Sequence, residues 1–208
     1  MSIRHVVAIA VVACAFAVPV HAQDAVKGLL VKTSDSALDR LSKPGAFSAD
    51  DAIRIAMPGV GKNLGGLMNL TDKAGLTNDI SASLNRAAEQ AAAEAKPIFR
   101  SAIDKMSLKD LGQLATGGKT AATEYLKKSS SGDIIKKLTP LVRSALEKAG
   151  VFKQTQSLSS LGYDDKTITD YVSQKTSDGI FTYMGREEEK ARGNPLGTGK
   201  AILKGLGG

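Results

Sequence analysis

The fold is decided by residues 77–106, which read TNDISASLNRAAEQAAAEAKPIFRSAIDKM. Apolar residues recur in this stretch at intervals of three and four, which places them on one face of an α-helix. Alanines fill the middle of that face, and their small side chains allow a second helix to approach closely. We therefore predict one long helix over about 77–106, with a kink at Pro97 because proline removes a backbone hydrogen bond.

The rest of the sequence also predicts helices and no sheet. Period-two runs of Val, Ile, Thr and aromatic residues, which indicate strands, are missing. The composition, with 42% hydrophobic and 24% charged residues, is that of a folded chain. No linker is long enough to separate domains, so we expect an all-α, single-domain irregular helical bundle. The shorter helices are predicted at 24–42, 64–70, 107–116, 120–128, 131–149, within 151–166 and at 167–192, with a tail helix that carries Leu196, Ile202, Leu203 and Leu206.

Turn residues and capping residues mark the ends of these helices. Residues 44–62 are predicted to be a loop anchored by apolar side chains, since they contain two prolines and three glycines. Gly150 is a natural residue to follow a helix C-terminus, Thr120 is a possible N-terminal cap, and Thr167–Asp170 is a capping box. The apolar side chains of the loop are Phe47, Ile53, Ile55 and Met57.

The first twenty-two residues are predicted to be a secretory signal peptide. A basic start at Arg4 and His5 is followed by an uncharged apolar run over 6–18 and by Val20-His21-Ala22 before Gln23. The run is too short to span a ~30 Å hydrocarbon core, so no transmembrane span is expected. Cleavage after Ala22 would place residues 23–208 in the periplasm as the helical domain. The alternative is a lipoprotein anchored at Cys14, since residues 11–14 are an acceptable lipobox.

Cleavage at that point would remove whole classes of chemistry. The histidines, His5 and His21, and the single cysteine, Cys14, all lie in the first twenty-two residues, and the chain has no tryptophan. A chain without imidazole or thiol excludes Ser-His-Asp and Cys-His nucleophiles, thiol redox chemistry, and the usual zinc and haem sites. We accordingly assign no catalytic, metal-binding or cofactor-binding residues and expect no enzyme of these kinds.

The positive charge either only keeps the protein soluble or attracts an anionic partner other than nucleic acid. Lys and Arg number 28 against 21 Asp and Glu, which gives a formal charge of +7. No Arg-rich or aromatic-interleaved stripe is present that would bind DNA or RNA. Anionic lipid or an envelope polymer suits an exported basic surface better.

The apparent nucleotide and metal motifs are weak. Gly117-Gly118-Lys119-Thr120 resembles part of a phosphate-binding loop, but Gln113 stands where the first glycine is required. The acidic runs 50–51, 164–165 and 187–189 are interpreted as solvated faces. Consecutive glutamates on a helix point about 100° apart and cannot converge on one ion.

Two polar clusters interrupt otherwise apolar helices. Asn85, Arg86 and Glu89 lie in the alanine-rich helix, where Arg86 and Glu89 have the spacing to pair with each other. Asp170, Lys175 and Asp178 lie in the last long helix. The clusters either face each other in a polar pocket, with Tyr125 or Tyr171, or form surface pairs and a network that fixes helix register.

Taken as a set, the motifs resemble the DUF4197 family of exported bacterial proteins of unknown function. The residues that carry the resemblance are Asn85–Glu89, Lys96–Phe99, Asp110, Gly117-Gly118, Ala121–Leu126, Pro140, Asp170–Val172, Asp178–Phe181, Glu187–Glu189 and Asn194-Pro195. The resemblance implies an exported helical domain and no established activity or cofactor. A tryptophan would be expected near Thr155, where this chain has none. The polar positions to which the resemblance points are Asn85, Arg86, Glu89, Thr123, Tyr125, Asp170, Tyr171, Lys175, Asp178 and Glu188.

These observations predict an exported, soluble cell-envelope protein that binds or scaffolds without catalysing a reaction. One alternative is a carrier that holds an apolar or lipid-like ligand between helices, since small residues and the kinks at Pro97 and Pro140 could leave a cavity. The other is a carboxylate-based hydrolase, which needs two acids about 5–9.5 Å apart in a cleft.

Overall fold

The computed structural model describes residues 20–57, 76–107, 110–111, 114–161 and 163–193. These residues form α-helices and no strand, so the all-α prediction is confirmed. The helices are α1 (Val20–Leu41), α2 (Leu76–Glu94), α3 (Lys96–Asp104), α4 (Ala121–Lys148), α5 (Val151–Thr155) and α6 (Asp165–Gly193), with a 3-10 turn over Gln156–Leu161. The helices predicted at 64–70 and beyond Leu196 lie outside the described residues.

The two longest helices form the centre of the bundle. α4 and α6 pack against each other, α1 lies against α6 and α3, and α2 lies against α4. Their apolar faces share one core, in which the rings of Phe99 and Phe181 meet edge to face at 5.6 Å. Within the described ranges, no helix is both long enough and apolar enough to span a membrane.

The alanine-rich segment 77–106 is two helices in succession, not one helix with a kink. α2 ends at Glu94, α3 begins at Lys96, and the buried Ala95 lies between them. Pro97 therefore lies in the first turn of α3, where the missing N–H would have had no partner within the helix. The interruption predicted at Pro97 is present, and it is a complete break because proline suits a helix start better than a helix interior.

The prediction of two separate helices at 120–128 and 131–149 is wrong, because α4 continues without interruption through both ranges. Ser129, Ser130, Ser131 and Gly132 suggested a break, since serine and glycine favour helices weakly. The buried Leu126, Ile134 and Leu138 place the apolar face of α4 against the rest of the core on both sides of these residues. Tertiary packing therefore outweighs local propensity here.

The end of α4 agrees with the sequence prediction, whereas the start of α6 differs from it. Gly150 follows α4 with φ of +73°, as predicted for a residue beyond a C-terminus. The capping box at Thr167 is wrong, since α6 begins at Asp165 and its cap is Asp164. The Asp164 carboxylate accepts the Thr167 N–H at 2.8 Å and the Thr167 hydroxyl at 3.2 Å. The hydrogen bond from the Thr167 N–H keeps the pKa of Asp164 below its usual value.

Residues 44–57, here called the plug segment, follow α1 as turns and irregular backbone without forming a helix. Phe47 and Ile55 are completely buried, while Ile53 and Met57 are almost so, which confirms the predicted apolar anchors. The Phe47 ring lies against Gly179 of α6. A Cβ atom at Gly179 would stand 2.7 Å from Phe47 Cε1, so the absence of a side chain at this position admits the ring.

Gly179→Ala tests this contact. We expect the free energy of unfolding to fall by about 1–2 kcal/mol, because the displacement of a buried ring exceeds the gain in helix propensity. Gly132→Ala is the matched control, since a Cβ atom there meets nothing within 4 Å in the middle of α4; it should stabilise the protein by about 0.5–1 kcal/mol. Urea unfolding measures both, and equal stability of Gly179→Ala and wild type would contradict the assignment.

Candidate functional site

Asn85 and Glu89 bind the backbone of the plug segment. Asn85 accepts the Ile55 N–H at 2.9 Å through Oδ1 and donates to the Ile55 carbonyl at 2.8 Å through Nδ2. Glu89 Oε1 accepts the Phe47 N–H at 3.1 Å. The two side chains lie one turn apart on α2 and are 2% and 5% exposed. They supply partners for polar backbone groups that a non-helical segment would otherwise leave unpaired in the core.

Arg86 lies beside Glu89 and does not pair with it. The predicted pair is wrong because Glu89 turns inward to Phe47, whereas Arg86 is exposed and has no ion-pair partner among the described residues. Both side chains line a cavity of about 470 Å³, here called the α2 cavity. The remaining lining residues of the α2 cavity are Ser42, Pro44, Gly45, Ser48, Ala82 and Gln90.

Thr123 and Glu188 meet at the start of α4. Glu188 is completely buried, and its carboxylate accepts the N–H groups of Ala122 at 3.1 Å and Thr123 at 2.8 Å. The first N–H groups of a helix have no partner within it, and the positive end of the helix dipole favours an anion. Glu188 of α6 is therefore the cap of α4. Thr120 occupies the N-cap position, as predicted, but its hydroxyl donates to Glu124 Oε1 and makes no hydrogen bond to a backbone N–H.

Arg192 completes this arrangement, and the sequence interpretation missed it. Its Nε atom lies 2.8 Å from Glu188 Oε1, and its terminal nitrogens donate to the carbonyls of Leu114 at 3.0 Å and Ala115 at 3.3 Å. The i,i+4 spacing of Glu188 and Arg192 was the signal that could have found the pair. Arg192 neutralises the buried carboxylate and ties the end of α6 to the segment before α4.

The interpretation of residues 187–189 as a solvated face is wrong, since Glu188 is buried and the Glu187 side chain is only 14% exposed. Glu187 and Glu189 face other partners, as predicted for consecutive helical residues. Glu187 accepts the Ser36 hydroxyl at 3.0 Å and pairs with Arg40 of α1 at 3.4 Å. Glu189 pairs with Lys119 at 2.8 Å. In the part of the chain that the structure describes, no group of three or more His, Cys, Asp or Glu side chains could hold a metal ion.

The acidic residues of the second cluster lie toward solvent and pair separately. Asp170 is exposed and pairs with Lys166 at 2.5 Å. Asp178 pairs with Lys127 of α4 at 2.8 Å and accepts the Gln174 amide at 3.1 Å. Neither aspartate lines the α2 cavity, so the structure does not bring the two predicted clusters into that space.

The two tyrosines and Lys175 hold other contacts. Tyr171 donates its hydroxyl to the carbonyl of Ala56 in the plug segment at 2.9 Å, and Lys175 Nζ lies 5.8 Å from the centre of the Tyr171 ring. Tyr125 donates to Asp110 at 2.5 Å, and this hydrogen bond raises the pKa of Tyr125. Of the ten predicted positions, these contacts tie Asn85, Glu89 and Tyr171 to the plug segment and join Thr123 to Glu188.

Asp50 was interpreted as part of a solvated acidic pair, and this is wrong. Its carboxylate accepts hydrogen bonds from Arg186, from the Tyr183 hydroxyl at 3.1 Å and from the Ala52 N–H at 3.0 Å. The hydrogen bond from Arg186, with that from Ala52, lowers the pKa of Asp50 below its usual value. Asp50 therefore fastens the plug segment to α6, a contact between positions too far apart in sequence for local patterns to indicate.

Glu188→Gln should lower the free energy of unfolding by about 3 kcal/mol, because it leaves Arg192 without its counter-charge and weakens the cap of α4. Glu189→Gln is the matched control on the adjacent, half-exposed position and should leave stability nearly unchanged. Urea unfolding monitored by circular dichroism measures both. Equal losses for the two variants would contradict the role given to Glu188.

Asp50→Asn should destabilise the protein in a pH-dependent manner. Since the pKa of Asp50 is lower in the folded state, ionised Asp50 adds stability above the unfolded-state pKa of about 4 and loses it as pH falls further. The difference in free energy of unfolding between wild type and Asp50→Asn should therefore be larger at pH 7 than at about pH 3. Asp51→Asn, at a position 86% exposed, is the control. A difference that does not depend on pH would contradict the account of Asp50.

Comparison with known proteins adds a family to this geometry. The model of a family described as "Protein of unknown function (DUF4197)" matches residues 19–207, which is nearly the whole sequence. No curated protein and no solved structure is significantly similar to the chain. The matched range contains the plug segment, the residues that hold it, and the Glu188 cap of α4. The chain therefore belongs to the DUF4197 family.

Proposed function

We propose that the protein is a non-enzymatic binding module, exported to the cell envelope, and that its binding site is the α2 cavity. The observation that carries this proposal is an exposed guanidinium, Arg86, and a buried carboxylate, Glu89, that line one cavity without pairing with each other. Arg86 has no ion-pair partner among the described residues, and Glu89 beside it is 5% exposed. A volume of about 470 Å³ is in the range of small-ligand sites.

Binding suits the α2 cavity better than catalysis does. Among the described residues that line it, Glu89 is the one carboxylate, and it accepts the Phe47 N–H and so holds the fold together. A hydrolase of the carboxylate type needs a second acid opposite the first. The other lining residues offer hydroxyl, amide and guanidinium groups, which bind and orient polar ligands.

Charge indicates the chemistry of the partner. The sequence carries a formal charge of +7, and Arg86 presents the cation of the α2 cavity to solvent. A guanidinium binds carboxylate and phosphate through two parallel hydrogen bonds. The proposed partner is an anionic component of the envelope, either a lipid headgroup or an envelope polymer.

Export is proposed from the first twenty-two residues, with their basic start, apolar run and small-residue exit. The described core is compatible with cleavage after Ala22. Cleavage would remove residues 20–22 from α1, and the buried residues Val26, Leu29 and Leu30 would remain in the mature chain. All the described contacts of the α2 cavity and of the plug segment would remain in the mature chain.

Mass spectrometry of the protein recovered from fractionated cells tests export. We expect the periplasmic fraction to contain a protein whose intact mass corresponds to residues 23–208. A lipid adduct on Cys14 in the membrane fraction would support the lipoprotein alternative instead of cleavage after Ala22. A cytoplasmic protein that retains residues 1–22 would contradict export.

Arg86→Ala tests the site, with binding measured by cosedimentation. The probes are vesicles of phosphatidylglycerol mixed with phosphatidylcholine, vesicles of phosphatidylcholine alone, and purified cell-wall sacculi. We expect binding to the anionic vesicles or to the sacculi, weakened about fivefold in Arg86→Ala because each basic side chain near an anionic surface contributes about 1 kcal/mol.

Arg54→Ala is the control, since Arg54 is an exposed arginine of the plug segment that does not line the α2 cavity. It should retain wild-type binding. Equal loss in both variants would make the attraction a general charge effect and contradict the site. No binding to either anionic probe by the wild type would contradict the proposed partner.

A further inference from the structure

A second and larger cavity lies where α4, α5 and α6 meet. Its volume is about 630 Å³, and it shares no lining residue with the α2 cavity. Side chains from the end of α4, from α5 and the following turn, and from the start of α6 surround it. The lining residues that carry the argument are Arg143, Phe152, Lys153, Thr155, Tyr163 and Asp165.

One side of this second cavity is aromatic. Phe152 is half-buried and Tyr163 is 8% exposed, while Thr155 is buried and donates its hydroxyl to the Val151 carbonyl at 3.0 Å. The Arg143 guanidinium lies over the Phe152 ring, 5.3 Å from its centre. Aromatic side chains and a stacked guanidinium offer flat surfaces on which a planar ring can pack.

The charges around the second cavity leave two cations available. Arg143 reaches its nearest carboxylate, Asp165, at only 3.8 Å, with half of each side chain exposed. Lys153 is exposed and forms no ion pair with a described residue. The lining holds three cations, Arg143, Lys153 and Lys166, against two carboxylates, Asp164 and Asp165. Asp164 accepts hydrogen bonds from Thr167, and Lys166 pairs with Asp170, which does not line the cavity. An incoming anion can therefore bind Arg143 and Lys153 without breaking a close ion pair.

We propose that the second cavity binds a small molecule in which a phosphate or carboxylate is attached to a ring. The ring packs on Phe152 and Tyr163, and the anionic group binds Arg143 and Lys153. Arginine is suited to this position because its planar fork donates two parallel hydrogen bonds to a phosphate or carboxylate. The site is independent of the α2 cavity and of the proposed envelope partner.

Phenyl phosphate and benzoate are the probes. Each is titrated into the protein purified from cells, and binding is followed by the NMR chemical shifts of the Phe152 and Tyr163 ring protons. Inorganic phosphate and phenol separate the two halves of the ligand. We expect phenyl phosphate or benzoate to bind more tightly than either half. The relative affinities for phenyl phosphate and benzoate show whether the cavity prefers a phosphate or a carboxylate.

Arg143→Ala and Lys153→Ala should each weaken binding about tenfold or more, since each removes a charged hydrogen-bond donor. Lys136→Ala is the matched control, because Lys136 is an exposed cation of the same helix and does not line the second cavity. Its affinity should stay within about twofold of wild type. No shift of the Phe152 and Tyr163 signals, or equal binding in wild type and Arg143→Ala, would overturn the proposal.

Discussion

The buried carboxylate of Glu188 is the constraint on which the bundle depends. It lies on α6, accepts the first free N–H groups of α4, and is neutralised by Arg192 one turn further along its own helix. Burial of a charge is unfavourable unless partners surround it, and here every partner belongs to one of the two central helices or to the segment before α4. The requirement fixes how far α4 extends and where α6 must pass it. A glutamine at this position could still accept the N–H groups of α4, but it would leave the charge of Arg192 without a counter-charge.

The same principle explains why most of the polar residues singled out by the sequence do structural work. The non-helical plug segment inserts Phe47 and Ile55 into the core, and the backbone N–H groups of these two residues take their partners from α2. Asn85 and Glu89 supply them from one face of α2, and Asp50 fastens the segment to α6. Polar residues in the middle of an alanine-rich helix thus mark the place where irregular backbone is buried. Arg86, on the solvent side of the same turn, remains available for a ligand.

Local sequence patterns predicted those features that depend on local physics. The helical class, the interruption at Pro97, the buried Phe47 and the positive φ of Gly150 all follow from periodicity, proline geometry or glycine's freedom at φ above zero. The continuity of α4 through Gly132 could not be predicted, because packing against distant residues outweighs propensity there. The partners of Glu188 in α4 could not be predicted either, since 65 residues separate Glu188 from Thr123.

The contact between α1 and α6 bears on the order in which this chain can fold. Ser36 and Glu187 share a hydrogen bond although 151 positions separate them, so the first and last described helices are neighbours. During synthesis the apolar stripe of α1 leaves the ribosome long before the helix that covers it. During that interval the apolar stripe is exposed to solvent and prone to aggregation. Closing so long a loop delays completion of the core and gives chaperones time to bind the unfinished polypeptide.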